Sequence, residues 1–340
     1  MTTFMIRFEP SKVELPCAEG ATLLETALSH GYFPKHSCRR GECRVCETEI
    51  LSGQVRYPGG LPPDDVTGGH CLTCMAVPTS DIVLQAPEVS SVAGRKIAQV
   101  GARVAAVERV SEDVAIVQLK LPPDCEFSFD AGQYVDVILR DGTRRSYSMA
   151  NAPSSDGVVE WHVRAMPHGR FSGHVYKNLK VRDLLKIEGP FGAFNLRESV
   201  APVILIASGT GYAPVASIMR AHGEVLARRG ARFYWGGRKI EDLYAFDEVL
   251  AWRDSSPNFH FIPVLSNPDP MWTGRTGFVH LAIKEDFSNL ADYEVYACGN
   301  PLMIDAARQT FLDECNLDEV NFISDSFATA IEKSAPVCVE

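Results

Sequence analysis

Hydrophobic and polar positions alternate in three successive rhythms along the chain. From residue 4 to about residue 88, short β-patterned runs at 5–8, 44–51 and 82–84 surround one stretch of helical spacing, 22–30, which Gly31 closes. A polar stretch at 90–96 separates these from a second set of short strands at 103–107, 115–119, 134–139, 146–149 and 158–163, the density expected of an antiparallel barrel or sandwich. From Pro202 onward strand and helix take turns: runs at 203–207, 233–236, 261–265 and 295–298 alternate with helical patterns at 215–228 and 302–314. That order predicts a parallel sheet covered by helices. The expected domains are therefore 1–92, 97–199 and 200–330, with 331–340 a mobile tail.

A chain of 340 residues is long enough for several cores, and 46% hydrophobic with 22% charged residues is the balance of a soluble globular protein. No apolar run approaches a membrane span, and the first ten residues carry Arg7 and Glu9 in place of a secretory signal, so the expected location is the cytoplasm. There the ten cysteines stay mostly reduced, and a tight group of them reads as metal-binding or catalytic. A net charge of −10 argues against nucleic acid and suits docking to a basic protein partner.

Cys38, Cys43 and Cys46 form C-x4-C-x2-C, and Cys74 follows after twenty-seven intervening residues, the plant-type [2Fe–2S] spacing. Two bridged irons need four thiolates, and three from one short loop let the intervening amides face the sulfurs, with Gly41 allowing the turn. A zinc site fits less well, because it draws paired C-x2-C ligands from two knuckles. A Rieske centre needs two histidines; His36 and His70 are near, but no C-x-H unit occurs. Cys71 and Cys74 both lie where a fourth ligand is needed; Cys74, nearer the apolar run, is the expected one. Cys17, Cys125, Cys315 and Cys338 have no partner spacing and read as ordinary thiols.

In the middle segment Arg145-Ser146-Tyr147-Ser148 combines a cation for phosphate, an aromatic face and a hydroxyl, each suited to part of a flavin. Gly169-Arg170-Phe171-Ser172 opens a helix whose free amides suit a pyrophosphate, with Gly169, Phe171 and Ser172 as candidate contacts. His162 and Arg164, at the end of the preceding strand, join the candidate cofactor set. In the last segment a strand runs into Ser208-Gly209-Thr210-Gly211-Tyr212-Ala213-Pro214 and then a helix. Glycines there admit a diphosphate, and proline suits the first helical turn; the full G-x-G-x-x-G is absent, so Gly209, Thr210, Gly211 and Pro214 gain weight from their strand-to-helix context. Cys298-Gly299 ends an apolar strand at the carboxyl edge, where open α/β sheets bind ligands. Cys298 either borders a nicotinamide or is a packed strand-end thiol. Glu241 and Asp242 suit a free ribose hydroxyl and hence NADH, whereas Arg238 and Lys239 could hold a 2′-phosphate.

Taken together these motifs resemble, over nearly the whole chain, the ferredoxin-type NAD(P)H reductases of Rieske dioxygenases and multicomponent monooxygenases. Residues 132–134 and 272–274 most resemble the sugar-deoxygenation branch, of the CDP-6-deoxy-3,4-glucoseen reductase type, which donates to a sugar-nucleotide dehydratase. The resemblance implies an N-terminal plant-type [2Fe–2S] ferredoxin domain (α+β, β-grasp-like), an antiparallel β-barrel flavin domain and an α/β nucleotide-binding domain with a parallel sheet. It implies metal ligands at Cys38, Cys43, Cys46 and Cys74, flavin contacts at Arg145, Tyr147 and Ser148, and nicotinamide contacts at Gly209, Thr210, Gly211, Pro214, Cys298 and Gly299. Ser148, Cys298 and Phe327 are the expected catalytic residues, Phe327 in Ser324-Asp325-Ser326-Phe327 matching the family's aromatic cover over the flavin. The implied activity carries electrons from NADH through FAD and a [2Fe–2S] cluster to a partner oxygenase. Where family members commonly have a small residue after the second cysteine, this chain has Arg44, a departure that bears on the cluster's hydrogen bonding and potential.

Overall fold

The computed structural model describes residues 3–34, 36, 39, 41, 44, 46–60, 66–86, 89–91, 97–154 and 156–327. Cys38, Cys43 and the expected mobile tail lie outside them. The chain folds as two units, one ending at Ile97 and the other running Ala98–Phe327.

In the first unit β1 (Phe4–Glu9), β2 (Val13–Cys17), β4 (Glu47–Ser52), β6 (His70–Leu72) and β8 (Ile82–Gln85) form a sheet of order β2-β1-β8-β4-β6, with β1 parallel to β8. Two small ribbons pair β3 (Tyr32–Pro34) with β9 (Val89–Ser91) and β5 (Val55–Arg56) with β7 (Val77–Pro78). Helix α1 (Leu23–Ser29) starts at a capping box, in which Thr22 accepts from the Glu25 amide while the Glu25 carboxylate accepts from that of Thr22. Its Leu23, Ala27 and Leu28 are buried, the first two in a core with Ile6, Phe8, Leu72 and Leu84. The strand expected from residue 44 begins only at Glu47, because Arg44 takes a left-handed φ of 55° and its carbonyl accepts from the Glu47 amide in a turn.

The second unit opens with β10 (Ala98–Arg109), β11 (Val114–Lys120), β12 (Tyr134–Ile138), β13 (Arg144–Ser148), β14 (Val158–Arg164) and β15 (Leu184–Phe191), all antiparallel in the order β13-β12-β15-β10-β11-β14. A bridge between Met149 and Trp161 joins the two ends, so the sheet closes into a barrel. Helix α2 (Arg170–Lys177) inserts Phe171 and Val175 into the barrel core beside Trp161.

The parallel sheet follows, in the order β19-β18-β17-β16-β20-β21: β16 (Val203–Ser208), β17 (Arg232–Gly237), β18 (His260–Leu265), β19 (Arg275–Thr276), β20 (Glu294–Gly299) and β21 (Phe322–Ser326). Helices α3 (Tyr212–Arg228), α4 (Phe246–Ser255), α5 (Val279–Asp286) and α6 (Pro301–Glu314) cover it. The central strand β16 serves both faces: Val203, Leu205 and Ala207 enter one core, Ile204 and Ile206 the other. Among the described residues no helix is long and apolar enough to cross a membrane.

Candidate functional site

In the first unit, Cys46 precedes β4 and Cys74 follows β6. The Thr73 amide and hydroxyl both donate to the Cys46 carbonyl, at 3.2 and 3.3 Å, so the two segments are tied together. The sulfurs of Cys46 and Cys74 lie 3.3 Å apart, and the Gly41 amide donates to Cys74 Sγ at 3.2 Å. Gly41 has a φ of +75°, and a Cβ there would stand 2.1 Å from Met75 Sδ, so the loop needs glycine. Cys71 is placed differently, at 0% exposure on β6 opposite Thr48. Burial, then the neighbouring Cys46 and Glu47, push its thiol up to about 12. His36 turns Nδ1 onto the Pro34 carbonyl at 2.6 Å, and burial lowers it to about 4. Arg44 donates Nε to Glu47 at 2.7 Å, and Glu47 also accepts the Thr67 amide at 2.9 Å. Paired thiols facing backbone amides are the donor set that an iron–sulfur cluster takes.

In the barrel the four residues 145–148 lie within β13, after strand β12 and the turn at Gly142, as their spacing suggested. Ser148 is buried opposite Tyr134, and Tyr147 stacks on Trp161 at 5.5 Å with Phe171 5.2 Å away. Phe171 is 1% exposed and packs against Tyr147 within the barrel core. Arg145 Nη1 donates to the Arg144 carbonyl at 2.7 Å. Gly169 caps α2, and a Cβ there would meet Ser172 Oγ at 2.1 Å; that hydroxyl accepts the Met166 amide at 3.2 Å. His162 is fully enclosed, with both ring nitrogens engaged by Tyr244 and Glu160.

The nucleotide turn Gly209–Gly211 is a 3-10 turn between β16 and α3, and Pro214 lies in the first turn of α3 as expected. Gly209 has a φ of +53° and its missing Cβ leaves room for Arg164, whose Nη1 would lie 2.8 Å from it. Arg164 Nε is 3.0 Å from the Asp113 carboxylate, but its buried Nη2 has no hydrogen-bond partner among the described residues. A guanidinium edge with an unsatisfied N–H beside a glycine turn suits an anionic cofactor group. At the edge of β20, Gly299 has a φ of +131° and packs where a Cβ would stand 2.4 Å from Ser208 Oγ. The chain after Ser148 is bonded to α3: Ser217 Oγ donates to the Asn151 carbonyl at 2.7 Å and Arg220 Nη1 to that of Ala150 at 3.0 Å. The strand with the flavin-type motif and the helix behind the glycine turn are thus fixed to one another.

Cys298 is buried, and burial, then the Asp325 charge, hold its thiol well above the ordinary value. Asp325 pairs with it across β20 and β21, and burial raises this carboxyl to about 6. Sequence reasoning missed Asp325; its place in the Ser324–Phe327 stretch was the available signal. Phe327 is half-buried, its amide donating to the Gly299 carbonyl at 2.8 Å, which sets it at the end of β20. Arg238 binds Asp242 through its amide at 2.8 Å and Nε at 3.3 Å, and Asp242 also accepts the Lys239 amide. Of the two carboxylates expected to favour NADH, only the exposed Glu241 is left outside this knot.

Family models match three stretches in chain order: a 2Fe-2S iron-sulfur cluster binding domain over residues 6–79, an oxidoreductase FAD-binding domain over 101–196 and an oxidoreductase NAD-binding domain over 205–309. The chain is 39% identical over 327 residues to the CDP-6-deoxy-L-threo-D-glycero-4-hexulose-3-dehydrase reductase of Yersinia pseudotuberculosis, covering 95% of this chain and 98% of that protein. It is 33% identical over 332 residues to reductase component 1 of terephthalate 1,2-dioxygenase from Comamonas sp., covering 96% and 97%. The solved structure of the Amycolatopsis cytochrome P450 reductase GcoB is similar with a TM-score of 0.78 at 31% identity, covering 96% of this chain and 100% of that one. The chain therefore belongs to the family of oxidoreductases that join a 2Fe–2S domain, an FAD-binding domain and an NAD-binding domain, among them oxygenase reductase components and CDP-sugar dehydrase reductases.

Proposed function

We propose that this chain is the NADH-oxidising reductase component of a cytoplasmic electron-transfer system, delivering single electrons to a partner oxygenase. The observation that carries this reading is the Cys46–Cys74 sulfur pair with the Gly41 amide turned onto it, in a chain that also holds the glycine turn beside Arg164. When bound, FAD and a [2Fe–2S] cluster convert a two-electron hydride into single electrons. Cys46 and Cys74, with Cys38 and Cys43, would ligate the cluster. Cys71, buried on the sheet, would not. Arg145 would supply a cation to flavin phosphate, Tyr147 a face for the ring and Ser148 a hydroxyl for its reactive nitrogen. The amides at Gly169 would face the pyrophosphate, and Gly209 to Gly211 would admit the nicotinamide dinucleotide, whose reactive end would border Cys298 and Gly299.

A second reading, donation to a CDP-sugar dehydrase, is favoured by the 39% identity to the Yersinia protein, against 33% to the dioxygenase reductase. Both use the same residues, so the acceptor decides between them.

The test is substitution by serine at Cys46, Cys74 and Cys71 in turn, followed by iron and sulfide content, the visible spectrum and NADH oxidation with ferricyanide. Serine at Cys46 or Cys74 is expected to remove the cluster and spare flavin-dependent ferricyanide reduction, while Cys71→Ser keeps both. Loss of the cluster in Cys71→Ser with retention in Cys74→Ser would overturn the ligand assignment.

A further inference from the structure

Within the unit Ala98–Phe327, a run of polar groups, buried at Glu160 and His162 and partly exposed at Arg220 and Glu248, links the barrel to the parallel sheet, outside the ligand contacts assigned above. Glu160 on β14 accepts from Arg220 Nη1 of α3 at 2.7 Å, from Gln118 Nε2 of β11 at 2.9 Å and from His162 Nε2 at 3.3 Å. Arg220 in turn holds Glu248 of α4 through Nε and Nη2, at 3.0 and 2.7 Å. A buried carboxylate such as Glu160 persists when its lone pairs find partners, and three donors converging on it hold it in place.

The run has a direction. Burial alone would raise the Glu160 carboxyl, but the hydrogen bonds from His162, Gln118 and Arg220 outweigh it and hold the group at about 2. An ionised carboxylate only accepts, so His162 Nε2 carries a proton. Nδ1 faces the Tyr244 hydroxyl at 2.7 Å, and burial keeps that hydroxyl protonated.

Tyr244 is the meeting point of three elements. Its ring stands edge-on to Trp235 of β17 at 5.4 Å, and Trp235 Nε1 donates to the Gly209 carbonyl at 3.2 Å. Trp235 also stacks on Tyr212, the first residue of α3, at 4.4 Å. Two residues before Tyr244 is Asp242, which binds the Arg238 amide and guanidinium. The tyrosine therefore touches the barrel strand through its hydroxyl, the glycine turn through Trp235, and the Arg238 segment through the chain.

We infer that the Tyr244 hydroxyl is a positioning group that sets the glycine turn and the Arg238–Asp242 segment against barrel strand β14, and so governs how closely a bound nicotinamide dinucleotide approaches the flavin face. This rests on the reading that both cofactors bind where proposed. His162 on this view acts through Tyr244 and not as a direct ligand, since turning its ring would break its contacts with Glu160 and Tyr244 together.

The test uses the flavin-loaded full chain with NADH as donor and ferricyanide as acceptor, together with the flavin difference spectrum on adding NAD+. Tyr244→Phe keeps the ring contacts and removes only the hydroxyl. Loss of this buried hydrogen bond is expected to lower the melting midpoint by a few degrees and, because the turn loses its seat, to raise KM for NADH roughly fivefold, with a smaller change in kcat, a weakened difference spectrum and unchanged flavin content. His162→Gln, which keeps a donor toward Glu160, is expected to give a similar rise, and the double variant no more than either single one. A merely structural contact would lower the melting midpoint and leave KM and the spectrum alone, and that result overturns the inference, as do additive effects in the double variant. A parent that binds flavin but neither oxidises NADH nor responds to NAD+ overturns the functional reading, and the inference with it.

Discussion

Replacing Gly211 by alanine isolates the contact between the nucleotide turn and the end of β20. Gly211 has φ −57° and ψ −13°, an ordinary right-handed conformation, so alanine carries no backbone penalty and its higher helix propensity is favourable by up to about 1 kcal/mol. All the harm must come from the added methyl. That carbon would stand 2.2 Å from the Cys298 carbonyl oxygen, 2.6 Å from its carbon and 2.8 Å from Gly299 Cα, all backbone atoms that cannot swing aside. The turn and the strand end would have to part by roughly 1 Å, and overpacking of this kind costs about 1–3 kcal/mol. The separation falls at the gap assigned to the nicotinamide, where a 1 Å displacement can cost about 100-fold in rate. We expect kcat/KM for NADH with ferricyanide to fall by roughly 10- to 100-fold, with flavin and iron contents retained and a melting midpoint lower by a few degrees. Gly209→Ala is the comparison, since its methyl meets only the mobile end of Arg164 and its principal cost is the left-handed φ of 53°. If Gly211→Ala retains kcat/KM within twofold, the turn does not approach the reacting end of the nucleotide and the assignment of this gap is wrong.

Asp325 supplies a pH test. Its folded value of about 6 lies above the ordinary 3.8, so the stability it lends is present below the lower value and lost as pH rises through the upper one. The shift corresponds to at most about 3 kcal/mol, and Asp325→Asn is expected to flatten the decline in melting midpoint between pH 4.5 and 7, a range in which Glu160 is already ionised; identical parent and variant profiles would dismiss the effect. Phe327→Ala is expected to change nicotinamide affinity or peroxide release while sparing the cluster spectrum, and if turnover, affinity and leakage all match the parent, the ring is packing alone. NADH is expected to be preferred over NADPH because Glu241 disfavours a 2′-phosphate, whereas equal or better kcat/KM with NADPH would give the decision to Arg238 and Lys239.

Local chemistry was the most readable part of this chain. The cysteine spacing, the Arg145–Ser148 run, the glycine turn and the change from dense strands to alternating strand and helix all lie within short windows, where residue type and period carry the signal. Long-range pairing was hidden. Strand β15 went unforeseen although it pairs with both β10 and β12, because Gly189-Pro190 interrupts its alternation. Helices α4 and α5 are short and mostly polar outside, and gave no clear period. Arg220 lies 60 residues from its partner Glu160, and Tyr244 lies 82 from its partner His162, and nothing in the sequence joins them; their partnership exists only after the barrel and the sheet pack. His162 looked like a ligand for the same reason, since its two protein partners are invisible in one dimension.

The margins of the parallel sheet have a consequence for solubility. A free strand edge is a template on which another chain can add, yet here one margin is the two-residue β19, whose Arg275 is clasped by Glu285 and Asp286 of α5. The opposite margin, β21, carries Ser324, Asp325 and Ser326 in five residues, a composition poor in strand-forming side chains. A stubby, charged rim on one side and a hydroxyl-rich one on the other give backbone-to-backbone self-association little to grip. At the concentrations an electron carrier needs in order to meet its acceptor often, this sheet should resist stacking into aggregates, and encounters between molecules are left to side-chain charge, which is adjustable and quickly reversed.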